Sequence, residues 1–391
     1  MLDTPFSPWP DYTDAECAAV QRIMRSNRVN YWTGNECKNF ELAYARYFKS
    51  KHAIALANGT LALDVALLAI GIQPSDEVIV TPRSYIASVS SVCLADAVPV
   101  FADVDRNTQN ISAATVAPLI TDKTKAVIVV HLAGFPADMD ELCALCEENN
   151  IHIIEDCAQA HGALYKGKPV GSFGDIATWS FCQDKIMTTG GEGGMVTTND
   201  DSLWEFMWSY KDHGKSFAQV HRTDHPPGYR WLHDSFGSNF RMLEIQAAIG
   251  NEQLEMMPQW SKKRLANAEK IWQASSQSIG LRVPSIPDDV VHAAYRAYVF
   301  VEPSNLKSGW NRDRIVSEIS ALGVPVYVGS CAEIYLEKAF DGKPYKPEKR
   351  LAVAQELGET SLCFLTHPTL TDAEIDQTCA AIQTTMQKAV R

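Results

Sequence analysis

The sequence predicts an α/β protein with a large doubly wound, mostly parallel sheet domain and a smaller C-terminal α/β domain. Three observations carry that expectation. Between His52 and Asp156, short β-branched apolar runs alternate with helical segments, the pattern of buried parallel strands joined by crossover helices. After Asp156 the strict alternation stops. From about Ile271 a shorter, mixed set of strand and helix signals follows.

In chain order, the first ~50 residues read as helix with a turn at Trp32–Asn35. His52–Asn58 is a short apolar strand, and a helix runs from Thr60 to Gly71. Glu77–Pro82 is a strand, followed by a helix over Ser84–Ala95. Val98–Val104 and Lys125–Gly134 are strands, Met139–Asn149 a helix and Ile151–Asp156 a further strand. Asp175–Phe181 and Gly193–Asn199 read as two strands joined by a glycine-rich loop. The stretch from about Leu203 to Lys270 is helical, interrupted by the polar segment His221–Trp231. The remainder carries a strand at Ala293–Pro303, a helix at Asp313–Leu322, a strand at Val324–Gly329 and a closing helix from Asp372. The expected division is 1–260 for the large domain, with the N-terminal helical segment included, and 261–391 for the small one.

Composition narrows the function. The 391 residues are 46% hydrophobic and 21% charged, ordinary globular values that argue against a disordered chain. The charge sum is 35 − 47 = −12 with no basic run, which disfavours nucleic acid as a partner. No apolar stretch approaches the ~20 residues of a membrane span. The first sixteen residues are acidic and proline-rich, unlike an export signal. Ten cysteines without such a signal fit a reducing, cytoplasmic setting. The Cys143/Cys146 pair lies mid-helix with no second pair near it and reads as packed thiols rather than a metal site. No metal is expected.

Ligands of doubly wound sheets bind outside the carboxyl ends of the strands, so those positions decide the chemistry. Asn58–Thr60 sits where a strand hands over to a helix. Free backbone N–H groups, Gly59 and the Thr60 hydroxyl make either an anion cradle or a plain N-cap turn. Asp156 closes an apolar strand and Gln159 follows it; the carboxylate either holds a cationic ring nitrogen or caps a turn. Lys185 precedes a loop bearing Gly190, Gly191, Gly193 and Gly194, and Ser180 precedes it. That lysine reads either as partly desolvated and nucleophilic or as a surface residue. Asn239 and Arg241 stand before an apolar helix. Jointly, an anion site, a strand-end carboxylate and a lysine in a glycine-rich setting are the parts needed to hold pyridoxal 5′-phosphate. Its phosphate needs donors, its ring nitrogen a carboxylate and its aldehyde an amine for a Schiff base.

These motifs, NGT, EDCAQAHGA, SFCQDKIMTTGGEGG and GSNFRMLEIQAAIG, occur in the order found in the DegT/DnrJ/EryC1/StrS family of nucleotide-sugar aminotransferases. The chain resembles that family from about Trp32 to Asp376. The resemblance implies fold type I of the pyridoxal phosphate enzymes, in the aspartate aminotransferase superfamily. It implies Lys185 as the catalytic, cofactor-bearing lysine and Asp156 as partner of the ring nitrogen. It places Gln159 near the ring hydroxyl, Tyr85 on the ring face, and Gly59, Thr60 and Ser180 on the phosphate. Asn239 would reach the cofactor of the neighbouring subunit, which requires a homodimer with shared sites. Tyr229 and Arg230 are expected substrate contacts. The implied reaction moves an amino group from L-glutamate to a nucleotide-linked keto-deoxysugar, most simply a 4-keto-6-deoxyhexose. Alternatives are amination at carbon 3, sugar dehydration, or a non-catalytic ligand-binding relative. Lysine rather than histidine at 185 favours transamination over dehydration.

Overall fold

The computed structural model describes residues 5–391; the first four residues of the expected large domain, and of the segment read as lacking an export signal, lie outside that range. Helices α1 (Asp14–Ser26) and α2 (Glu36–Phe48) lead into β1 (His52–Leu56), α3 (Gly59–Ala69), β2 (Glu77–Val80), α4 (Ala87–Leu94) and β3 (Val98–Phe101). Then come α5 (Ala113–Val116), β4 (Thr124–Val130), α6 (Met139–Glu148), β5 (His152–Asp156), β6 (Leu164–Tyr165) and β7 (Lys168–Pro169). The glycine-rich loop joins β8 (Ile176–Ser180) to β9 (Gly194–Thr198), and α7 (Asp201–Tyr210), α8 (Phe217–His221) and α9 (Glu244–Ser276) follow. The C-terminal part holds β10 (Leu281–Arg282), β11 (Val290–Val291), β12 (Ala297–Val301), α10 (Arg312–Ala321), β13 (Val326–Tyr327), α11 (Ala352–Thr360), β14 (Ser361–Phe364) and α12 (Asp372–Ala389).

The main sheet has seven strands in the order β1-β9-β8-β5-β4-β2-β3. Pairs from β8 through β3 are parallel, whereas β9 is antiparallel to both β1 and β8. The reversal follows from the connection. Residues 181–193 contain no helix, and a parallel return needs a crossover segment. Both sheet faces are covered, as the continuous apolar runs require. Val78 and Val80 pack in one core with α3 and α4, while Ile79 between them faces another with α6 and α11.

The smaller sheet, β10-β12-β14-β13, is antiparallel throughout. Its strand β14 was not expected. It follows α11 directly, with no glycine or proline to punctuate the junction. The expected division at residue 260 falls inside α9, whose 33 residues carry Leu254 and Met257 into a core shared with the main sheet and Ile271 and Trp272 into the core of the small sheet. A third sheet pairs β11 with β6 and β7, so C-terminal backbone is stitched onto the larger unit.

Candidate active site

The carboxyl ends of β1, β5 and β8 converge on one cavity of about 560 Å³, a volume suited to a cofactor-sized ligand. Its first wall is the start of α3. Asn58 caps the helix, its side-chain oxygen accepting the Leu61 N–H at 2.9 Å, while Gly59 and Thr60 line the cavity. Both readings of this turn hold at once: one residue caps, the next two face the ligand space. Gly59 is required by close approach, since a Cβ there would lie 2.7 Å from the Ser180 Cβ. Gly194 pairs with both Leu56 and Ser180, and a Cβ on it would meet the Asn58 carbonyl oxygen at 2.3 Å. Two glycines thus let the β1 and β8 ends meet.

The second wall is β5. Strand alternation sends Glu155 and Asp156 to opposite faces, and Asp156 faces the cavity while only 6% exposed. One of its oxygens accepts the Ala158 N–H at 3.1 Å, and the other accepts the Ser88 hydroxyl at 2.8 Å. Ser84 lies 3.0 Å beyond Ser88. Gln159 also lines the cavity, its amide oxygen accepting the Ala133 N–H at 2.7 Å. That leaves the amide NH2 as the end able to meet a ligand oxygen. Tyr85, 68% exposed, stands at the rim.

The third wall is the loop after β8, with Ser180 and Lys185. The Lys185 N–H donates to the Cys182 carbonyl at 3.0 Å. The Lys185 carbonyl accepts the Trp9 indole N–H at 2.8 Å. The sequence suggested an amine made nucleophilic by desolvation, and the structure corrects this. Burial does push the Lys185 amine down, but Tyr295, Asp184 and Asp156 outweigh it and the net direction is upward. The resting amine is therefore held charged.

The structure brings together Gly59, Thr60, Tyr85, Asp156, Gln159, Ser180 and Lys185. It does not bring in Asn239, Tyr229 or Arg230. Asn239 is exposed and bridges to Asp212 through its backbone. Arg230 donates to the Gln219 carbonyl, and Tyr229, 77% exposed, meets Trp231 edge to face at 4.8 Å. Sequence reasoning missed Ser88, Trp9, Asp184 and Tyr295. Ser88 was within reach, standing three residues after Tyr85 at the start of α4 and so on the same side of the helix. Trp9 meets Lys185 across 176 positions, a separation that no local pattern reveals.

Residues 10–383 match the sequence profile of the DegT/DnrJ/EryC1/StrS aminotransferase family. The chain belongs to that family. This aminotransferase is 34% identical over 373 residues to the GDP-perosamine synthase of Escherichia coli O157:H7, covering 95% of this chain and 96% of the relative. It is 38% identical over 353 residues to the GDP-perosamine synthase of Caulobacter vibrioides, covering 88% of each. Among solved structures, an aminotransferase from Psychrobacter cryohalolentis superposes with a TM-score of 0.96 at 58% identity, over 97% of this chain and 98% of that one. The fold is that of the pyridoxal phosphate-dependent aminotransferases, and enzymes of the family depend on that cofactor. The cavity of this aminotransferase fits such a group. A helix N-terminus bared by Gly59 suits a phosphate, a buried carboxylate at Asp156 suits a ring cation, and the amine of Lys185 lines the same space. Among the described residues no helix is long and apolar enough to cross a membrane.

Proposed function

We propose that this sugar aminotransferase moves an amino group from L-glutamate to a nucleotide-linked 4-keto-6-deoxyhexose. The observation that carries the reading is the single cavity joining the Lys185 amine, the buried Asp156 carboxylate and the Gly59–Thr60 helix start. The names of the relatives, both perosamine synthases, support the sugar class. In this reading Gly59, Thr60 and Ser180 hold the phosphate of pyridoxal phosphate, Asp156 its ring nitrogen, Gln159 its ring hydroxyl and Tyr85 its ring face. The bound cofactor supplies an electron sink for loss of a proton from the amino donor's α-carbon. The chain's own part in the reaction is proton handling and orientation. Lys185 Nζ takes the α-proton and later returns a proton to the sugar carbon, acting as base and then acid. Ser88, bonded to Asp156, keeps that carboxylate aimed at the cavity.

A homodimer completes the site in this proposal. The loop that carries Asn239 also exposes Trp231 at 84% and Phe236 at 99%, an apolar surface that suits a second copy. Asn239 of each copy then serves the other's cofactor. Asn239→Ala is expected to weaken pyridoxal phosphate binding roughly tenfold, the scale of one hydrogen bond to a charged group. Ultrafiltration of the loaded enzyme checks this, and unchanged affinity counts against shared sites.

The reaction itself is tested by the visible spectrum of the protein with pyridoxal phosphate, before and after L-glutamate. Glutamate should bleach the yellow band, and the correct keto-sugar nucleotide should restore it. A yellow protein indifferent to glutamate points to another donor. NMR of the product separates amination at carbon 4 from amination at carbon 3.

A further inference from the structure

Lys185 does not meet its cavity alone. Tyr295, just before β12 and 6% exposed, touches two neighbours in the glycine-rich loop. Its hydroxyl donates to Asp184 Oδ2 at 2.5 Å. Its ring centroid lies 5.2 Å from the Lys185 ammonium, within cation–π range. The Tyr295 N–H donates to the Ala133 carbonyl at 3.0 Å, so the ring is set from the large sheet's side. Asp184 lines the cofactor cavity and also a neighbouring cavity of about 570 Å³ walled by Trp9 and Arg296.

We propose that Asp184, clamped by the Tyr295 hydroxyl, is a positioning residue that serves as counter-charge to the Lys185 amine and sets how readily that amine gives up its proton. The inference rests on the reading of Lys185 as the reactive amine. Burial pushes the Tyr295 phenol up, and its net shift is upward, so it stays a neutral donor and the negative charge resides on Asp184. Burial would raise the Asp184 carboxyl, but Lys185, the Tyr295 bond and Arg296 bring it below the ordinary carboxylate value. The other groups facing the amine are Asp156 from the end of β5 and Cys182 from the same loop. His161, beyond β5, is pushed down to about 3 by burial and the nearby cations Lys185 and Arg264, so it adds no charge near neutrality. Arg296 opposes Asp184 from the small lobe. A carboxylate at this range raises a neighbouring amine by about one unit or more, whereas burial alone would lower it.

The test titrates the amine in the full chain freed of cofactor. Competitive labelling with acetic anhydride from about pH 6 to about pH 11 brackets the lysine range, with exposed Lys123 as internal reference. Asp184→Asn should raise Lys185 labelling near pH 8 about tenfold relative to Lys123, one unit of pKa. Asp184→Glu should stay within about twofold of the parent, since the charge is kept. Equal labelling in Asp184→Asn and the parent overturns the proposal. Should that variant fail to fold, the parent's own curve decides. An amine titrating at or above the ordinary 10.5 is expected, and one below about 9, as burial alone would give, overturns it. The underlying reading fails separately: a parent protein that forms no visible band with pyridoxal phosphate defeats Lys185 as the anchor and leaves the labelling result standing.

Discussion

Lys185→Ala is expected to abolish transamination and leave a folded protein. The side chain reaches a cavity, so its truncation opens no hole in a packed core. The loop is held by main-chain groups that alanine keeps: the residue 185 N–H on Cys182, the residue 185 carbonyl under Trp9, and the Gln183 N–H on the Gly191 carbonyl at 2.9 Å. The stability change should stay within about 1 kcal/mol. Activity loses both the covalent anchor and the proton carrier. General acid–base help alone is worth roughly 10²–10⁴-fold, so turnover should fall by about 10⁴-fold or more. Product formation by mass spectrometry, beside a melting curve, reads both halves. Residual turnover above about one per cent of the parent would remove Lys185 from the centre of the reaction.

The largest stability effect should come from Glu155→Ala. Glu155 is completely buried on the face of β5 opposite Asp156. It accepts the N–H groups of Gly171, Phe173 and Gly174 at 2.7, 2.8 and 2.7 Å, and His131 Nε2 stands 3.0 Å away. His131 Nδ1 accepts the Ala137 N–H, so Nε2 carries the proton and donates. Alanine would strand these donors without water, at about 1–3 kcal/mol for each group left unpaired. Relaxation of the loop recovers part of that, and a loss of about 4 kcal/mol is expected, a large share of a domain's usual margin. Burial alone would raise the Glu155 carboxyl, but His131 and the backbone donors bring it below its ordinary 4.5. A depressed carboxyl stabilises above the unfolded value and loses that contribution as pH falls through the folded one. The parent's melting temperature should therefore drop on acidification below about pH 4.5, and Glu155→Gln should flatten that limb. An alanine variant melting with the parent would refute the account.

How much of this was legible in the sequence varied with the range of the contact. Strands β1 to β5 showed plainly, because buried parallel strands need continuous β-branched runs and each ended at a polar or helical signal. Asp156 and Lys185 could be placed at strand ends for the same reason. The sequence could not say which of Glu155 and Asp156 faced the ligand, since alternation fixes opposition and not direction. The antiparallel insertion of β9 was also hidden. Its partners, His52–Leu56 and Ile176–Ser180, compete with other apolar runs of equal quality, and only the helix-free loop before β9 hinted at a reversal. The Trp9 and Tyr295 contacts with the lysine loop join distant segments through single hydrogen bonds and leave no periodic trace. Asn239, Tyr229 and Arg230 lie outside the cavity of the isolated chain, and their proposed roles depend on the surface of a second copy.

The place of β9 between β1 and β8 also bears on how the chain acquires its chemistry. The helix start at Gly59 and the lysine loop lie on opposite sides of that strand. They become neighbours only once a segment some 140 residues downstream of β1 has slotted in. Contacts of such sequence separation form slowly. Cofactor capture should therefore come late during refolding, after helical signal has returned. Added pyridoxal phosphate should leave the refolding rate nearly unchanged while slowing unfolding, because it stabilises contacts absent from the barrier. Return of the yellow colour would then serve as a clock for completion of the sheet.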